Sequence, residues 1–247
     1  MAIYTLNKTG QFHKTHTEDH VITMQLGNEW IIGAVMDGCS SGKESYFAST
    51  LFGKIIQKSV RMLSYSKIPS SDPRTGKMGG ASAGRFILKQ IFDNLAAIHK
   101  LLETDLIEML TTLLLLVYNK KDKSAWVNIS GDGFIIHDHQ IIEVDQNNIP
   151  DYMAYHLDTT FNNWIEHFSK TYAFENQTDI SISTDGISKF ITHNHRRPQD
   201  IDPVHYLLID DSHQDSGNML ETKFQILAKE YGLFPYDDLG MIRIIIR

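Results

Sequence analysis

The spacing of hydrophobic and polar positions changes several times along the chain, and each change predicts an element. Residues 20–26 and 30–36 are short apolar runs separated by Gly27-Asn28, a dipeptide suited to a tight hairpin turn. Residues 44–63 set Phe47, Leu51, Ile55, Ile56 and Val60 at helical intervals, which predicts a helix with one apolar face. Residues 64–84 carry Pro69, Pro73, Gly76, Gly79, Gly80 and Gly84 and predict a mobile loop. Phe86, Ile87, Ile91, Leu95, Ile98 and Leu102 then form a second helical stripe, whose ordinary meaning is core packing. Four strand-like runs follow, at 112–118, 124–130, 134–137 and 140–144, separated by polar turns. His137, Asp138 and His139 mark the last of these turns and belong at the surface. Residues 150–178 have weak periodicity and are assigned a helix plus a loop. Beyond them the pattern predicts a strand at 179–184, a helix start at 187–191, a loop at 193–203, a helix at 218–231 and a closing strand at 241–246. This mixed order suits sheets flanked by helices rather than alternating βαβ units. No repeat or linker divides the chain, so residues 1–247 are expected to form a single domain.

Composition narrows the function. A hydrophobic fraction of 42% against 21% charged residues is that of a globular protein with a sizeable core. A net charge of -7 lacks the basic footprint of a nucleic-acid binder and argues against a metal nuclease. The single cysteine, Cys39, excludes an internal disulfide and fits a reducing compartment. The first ten residues lack the apolar core of a signal peptide, and the longest apolar stretch, 113–117, is too short to span a bilayer. The expectation is a cytoplasmic protein with no nucleic-acid or membrane partner.

Candidate chemistry lies at the predicted strand ends. Asp37-Gly38 follows the run at 30–36, Asp185-Gly186 follows 179–184, and Asp237 precedes 241–246. Glycine beside such an acid lets the chain turn and a ligand approach a bare backbone carbonyl. A lone Asp-Gly is usually just a turn. Three such acids gathered by a fold make an oxygen-rich pocket suited to Mg²⁺ or Mn²⁺. Asp238, beside Asp237, leaves the register of the third acid open. The twelve histidines suggest zinc, but His193, His195, Arg196 and Arg197 occupy a Pro-flanked segment better read as solvated loop.

Taken in order, these residues resemble the metal-dependent Ser/Thr protein phosphatases of type 2C. Lys14-Thr15-His16-Thr17-Glu18-Asp19 looks like the family's Arg-x-x-x-Glu-Asp, and Val35-Met36-Asp37-Gly38 like its strand-ending Asp-Gly. Leu110-Thr111-Thr112 matches Gly-Thr-Thr at the two threonines. Gly131-Asp132-Gly133 looks like Gly-Asp-Ser, Ser183-Thr184-Asp185-Gly186 like Ser-Asp-Gly, and Tyr236-Asp237-Asp238-Leu239-Gly240 stands where the family has Asp-Asn-x-Thr. The resemblance spans residues 14 to 246 and implies an α+β fold, an αββα sandwich of two antiparallel β-sheets flanked by helices.

It also implies two Mg²⁺ or Mn²⁺ ions. Asp37 would bridge them, Gly38 would offer its carbonyl to the second, Asp185 and Asp237 would hold the first, and Glu18 and Asp19 would organise the second through its waters. Asp132 and Asp185 are candidates for a third ion, although Lys189 stands where some members add an acid. The catalytic set is then Asp37, Asp185 and Lys14, with Lys14 in place of a phosphate-binding arginine, a point charge instead of a two-pronged donor. Cys39 is not read as a nucleophile, because no histidine partner stands out. Implied is a phosphatase acting in signalling, which hydrolyses phosphoserine or phosphothreonine in a protein substrate through a metal-activated water, against a cognate kinase. Lys14, Leu110 and Gly240 depart from the pattern and support the alternative, a catalytically weak relative kept as a binding or regulatory module.

Overall fold

Alternating inward Tyr4 and Leu6 with outward neighbours makes Ala2–Lys8 a strand, β1. The computed structural model describes residues 1–13, 16–65, 79–146, 149–192 and 201–246. After β1 come the hairpin β2 (His20–Leu26) and β3 (Trp30–Met36), then the long helices α1 (Phe47–Tyr65) and α2 (Gly80–Leu102). Four strands follow: β4 (Leu113–Asn119), β5 (Ala125–Ser130), β6 (Gly133–His137) and β7 (Gln140–Val144). The second half holds α3 (Phe161–His167), β8 (Lys170–Phe174), β9 (Asp179–Ser183), β10 (Phe190–Thr192), α4 (Pro203–Leu208), α5 (Met219–Ile226), β11 (Leu233–Pro235) and β12 (Leu239–Ile245).

Two five-stranded antiparallel sheets run in the orders β1-β12-β9-β6-β7 and β2-β3-β4-β5-β8, while β10 and β11 pair as a small ribbon. The large sheets face each other through Ile31, Val35, Leu114 and Leu116 on one side and Ile135, Ile180, Ile182 and Ile242 on the other. Strands covered on both faces need apolar residues throughout, which is why β4 is buried along its whole length. Outside the second sheet, α1 buries Phe52, Ile55, Ile56 and Val60, and α2 buries Ile87, Leu88, Ile91 and Leu95. Outside the first, α4 and α5 cover Tyr4, Leu6, Phe134 and Met241 with Leu207, Leu208, Leu220 and Phe224. Helix, sheet, sheet, helix is the layering expected, and each fully buried aliphatic chain contributes about 1.5–3 kcal/mol.

Buried charge fastens one outer layer. Arg243 of β12 is fully buried, grips Asp179 at 3.1 and 2.6 Å and donates to the carbonyls of Leu207, Ile209 and Asp210 at the end of α4. Lys223 of α5, also fully buried, donates to the carbonyl of Tyr206 at 2.8 Å and pairs with the Asp210 carboxylate at 3.0 Å.

Four sequence expectations need correction. The segment 150–178 supplies β8 besides its helix. α2 begins at Gly80, inside the stretch assigned to a loop, while residues 66–78 lie outside the described residues. The expected helix start at 187–191 is a 3-10 turn, Asp185–Ser188, leading into β10, because Phe190 and Ile191 pair with Pro235 and Phe234. The loop at 193–203 ends in α4, which Pro203 opens with Asp202 as N-cap, and residues 193–200 lie outside the described residues.

Candidate active site

Asp19, Asp37, Asp132, Asp185 and Asp237 come from different strands and gather at one end of the two sheets. Asp37 leaves β3 beside the start of β4. Its backbone N–H donates to Thr112 Oγ1 at 3.0 Å, its carbonyl accepts from Thr111 Oγ1 at 2.7 Å, and the Thr112 N–H donates to that carbonyl at 2.8 Å. The two threonines therefore fix the position of the aspartate. Gly38 pairs with Thr111 in an isolated bridge and donates its N–H to the Glu18 carbonyl. Asp132 caps the β5–β6 turn between Gly131 and Gly133, whose φ values of 92° and 145° exclude most other residues.

Asp185 follows β9 on the 3-10 turn, and Gly186 behind it lies so close to the Asp238 carbonyl that no Cβ would fit. That contact brings Asp185 alongside Asp237. Across the gap, Lys189 Nζ lies 2.7 Å from Asp185 Oδ2 and 2.8 Å from Asp237 Oδ2. The backbone holds the lysine there, since the Lys189 N–H donates to the Gly186 carbonyl and the Tyr236 N–H to the Lys189 carbonyl at 2.7 Å.

Electrostatics marks the group as unusual. Burial, then the negative charges of Asp19, Asp185 and Asp237, push the Asp37 carboxyl well above the ordinary aspartate range. Burial does the same to Asp19, with Thr184 as the main opposing hydrogen bond, 2.7 Å from Asp19 Oδ2. The Asp19 and Asp37 carboxyls lie within hydrogen-bond reach of each other, which requires a proton between them or a cation in its place. Asp132 is pushed up to about 6 by burial and then by Asp185. Burial would lower the Lys189 ammonium, but Asp185 and Asp237 outweigh it and hold the group above the ordinary lysine value.

The adjacent acids Asp237 and Asp238 divide their work. Asp237 joins the acid group. Asp238 is buried, accepts the N–H of Gly10 at 2.6 Å and that of Glu18, and lies 3.0 Å from His13 Nδ1. It ties the segment carrying Glu18 and Asp19 to the start of β12. Glu18 is held by the Ser45 and Ser40 hydroxyls, the latter at 2.8 Å. Gly240, in place of a hydroxyl residue, donates its N–H to Thr184 Oγ1 at 3.0 Å, so Thr184 links it to Asp19. Lys14 lies outside the described residues, as do His193, His195, Arg196 and Arg197.

Sequence reasoning missed two residues here. His13 lies 3.4 Å from Glu18 Oε1 and 4.0 Å from Asp237 Oδ1, without an aligned hydrogen bond at either ring nitrogen among the described residues. The Tyr152 hydroxyl is raised by burial and then by its neighbours Cys39, Asp37 and Asp132, so it keeps its proton at the mouth of the site. Neither carries a motif, and Tyr152 belongs to the weakly periodic 150–178 segment.

Whether the acids suit a divalent ion can be tested on their own atoms. Oδ1 of Asp19 and Oδ1 of Asp185 are buried and have no hydrogen-bond partner among the described residues. Like-charged, undonated oxygens at this depth fit a cation. Among the described residues no three His, Cys, Asp or Glu side chains form a ready metal cage, and Lys189 already holds one acid pair.

The protein phosphatase 2C family profile matches residues 11–221. No curated protein sequence matches the chain. Among solved structures the fold resembles the PP2C phosphatase domain and regulatory fragment of the cell fate determinant SpoIIE from Bacillus subtilis, with a TM-score of 0.59 and 16% identity over 99% of this chain; it spans only 63% of that one. A bacterial serine phosphatase gives a TM-score of 0.63 at 13% identity, over 100% of this chain and 98% of the other. The serine/threonine phosphatase Stp1 from Staphylococcus aureus gives 0.61 at 13% identity, over 99% and 94%.

Proposed function

The chain belongs to the protein phosphatase 2C family, and on that premise we propose that it is a Mg²⁺- or Mn²⁺-dependent phosphatase of phosphoserine and phosphothreonine in proteins. One observation carries the reading: Asp19, Asp37, Asp185 and Asp237 converge at the strand ends, and one carboxylate oxygen each of Asp19 and Asp185 is buried there without a donor among the described residues. Asp37 would reach both ions, Asp185 and Asp237 would hold the first, the Gly38 carbonyl would serve the second, and Glu18 and Asp19 would organise that second ion through its waters, with Asp132 beside Asp185 for a third. Such ions supply positive charge for the phosphoryl oxygens and a water acidic enough to attack in line.

The remaining work falls to the chain itself. Thr111 and Thr112 fix the Asp37 backbone from which the carboxylate projects, Thr184 orients Asp19, and Asp238 positions the N-terminal segment. Lys14, from its place in that segment's motif, is assigned to the substrate phosphate. Tyr152 Oη, protonated throughout the neutral range, is a donor for phosphoryl or leaving-group oxygen. The lone thiol Cys39 fits a cytoplasmic setting, with a kinase supplying the phosphorylated substrate. Among the described residues no helix is long and apolar enough to cross a membrane.

The test is phosphate release from phosphoserine and phosphothreonine peptides at saturating Mn²⁺. Wild type should turn over and stop with EDTA, while Asp37→Asn should lose at least about a hundredfold with its circular dichroism unchanged. A second reading, the catalytically weak binding module, is favoured by Lys189 lying across Asp185 and Asp237. Mn²⁺ binding without phosphate release would select it.

A further inference from the structure

We infer that Lys189 is a tethered counter-cation for the Asp185–Asp237 pair, so this half of the acid group is closed to a divalent ion until the ammonium swings out and the site loads metal in two unequal steps. The inference rests on the metal-dependent reading of the site and concerns how that site fills.

The geometry is specific. Nζ contacts Oδ2 of Asp185 at 2.7 Å and Oδ2 of Asp237 at 2.8 Å, bridging the two acids. The lysine stem cannot drift along the chain, because the Tyr236 N–H holds its carbonyl and the β10–β11 ribbon fixes the residues that follow. The head, by contrast, can leave. The side chain is about a third exposed, at 36%, and its four-carbon stem lets the ammonium turn to solvent without backbone movement.

The other half of the group has no such partner. Asp19 is 2% exposed, and its Oδ1 receives no donor among the described residues. The buried Asp19 carboxyl and the half-buried Asp37 carboxyl lie within hydrogen-bond reach there, with no positive side chain between them among the described residues. A first divalent ion therefore meets no tethered ammonium at Asp19 and Asp37, only a shared proton that it can replace. A second must displace an ammonium already making two charge-assisted hydrogen bonds.

Mn²⁺ titration followed by electron paramagnetic resonance, with EDTA-stripped protein, tests this. Wild type should bind one Mn²⁺ tightly and a second about tenfold or more weakly, the least that giving up one charge-assisted hydrogen bond amounts to. Lys189→Met keeps the stem and removes the charge, so its second Mn²⁺ should bind at least about tenfold tighter than in wild type, while Lys189→Arg should stay weak. The Met variant should also melt lower than wild type in EDTA, having lost its counter-charge. Equal second-site affinities in wild type and Lys189→Met overturn the inference and leave the phosphatase reading standing. Absence of Mn²⁺ binding in both overturns the two together.

A wild-type measurement covers the case in which the Met variant does not fold. Acetylation of Lys189 by an N-hydroxysuccinimide ester, followed by mass spectrometry, should quicken several-fold once the second Mn²⁺ is bound. An unchanged rate with two ions bound overturns the inference as well.

Discussion

Asp237 and Asp238 show how far neighbouring residues of one type can diverge. The chain bends between β11 and β12 at these residues, so one acid faces Lys189 and the other faces the N-terminal segment. Asp238→Ala strands two backbone N–H groups, those of Gly10 and Glu18, and should cost about 2–6 kcal/mol in urea denaturation, since each buried unpaired donor costs about 1–3 kcal/mol. Asp237→Asn removes a charge from a crowded acid group and should leave the unfolding midpoint close to wild type while activity falls. Similar loss of stability in both variants would mean that the two roles are not separated. The sequence placed an acid here but left its register open, because the choice depends on partners more than two hundred residues away. The motif residues Asp37, Asp132 and Asp185 were legible, since each ends a readable strand or turn. His13 and Tyr152 were not, because proximity alone recruits them.

At the scale of elements, hydrophobic period was a good guide wherever an element buries one broad face. α1, α2 and the strands from β2 to β7 follow it. It failed where pairing partners decide. β8 lies at a sheet edge with a half-exposed pattern and is defined by its ladder to β5. Residues 187–191 carry an apolar, helix-compatible stretch, yet pairing with β11 draws them into a ribbon. Packing also decides the fate of Gly84, whose Cβ would strike the buried indole ring of Trp126. Gly84→Ala improves helix propensity by about 0.8–1 kcal/mol but forces α2 off the sheet, an overpacking cost of about 1–3 kcal/mol. Overpacking should outweigh the propensity gain, giving a net loss near 1 kcal/mol, by the difference of those two ranges, and a lower urea midpoint. A raised midpoint would show that the helix can shift freely over Trp126.

For the whole molecule, the acid group couples stability to protons and metal. The folded state holds Asp19, Asp37 and Asp132 above their unfolded values, so it binds more protons than the unfolded chain. Their stabilising contribution is complete below the unfolded value of 3.8 and disappears as pH rises through the raised values, for Asp132 through about 6. In EDTA the melting temperature should therefore drop between about pH 5 and about pH 7.5. Mn²⁺ at a hundred times its Kd should restore about 2.7 kcal/mol, or roughly 5–10 °C for a chain of this size, and more at the upper pH than at the lower, where protons compete. Coincident melting curves with EDTA and Mn²⁺ at both pH values would show that no ion binds. The layered architecture was readable from alternating runs of strands and helices together with the motif order; the ammonium that offsets the acids was not, because charge balance is a property of the assembled site. One topological detail also governs synthesis. Ala2 pairs with Ile245, and β12 lies between β1 and β9. A nascent chain therefore keeps β1 unpaired until β12 has been made, and no product truncated before Asp237 can close the first sheet or present that acid. The first sheet closes only once β12 exists, so such long-range pairing favours gain of activity in one step over a gradual one.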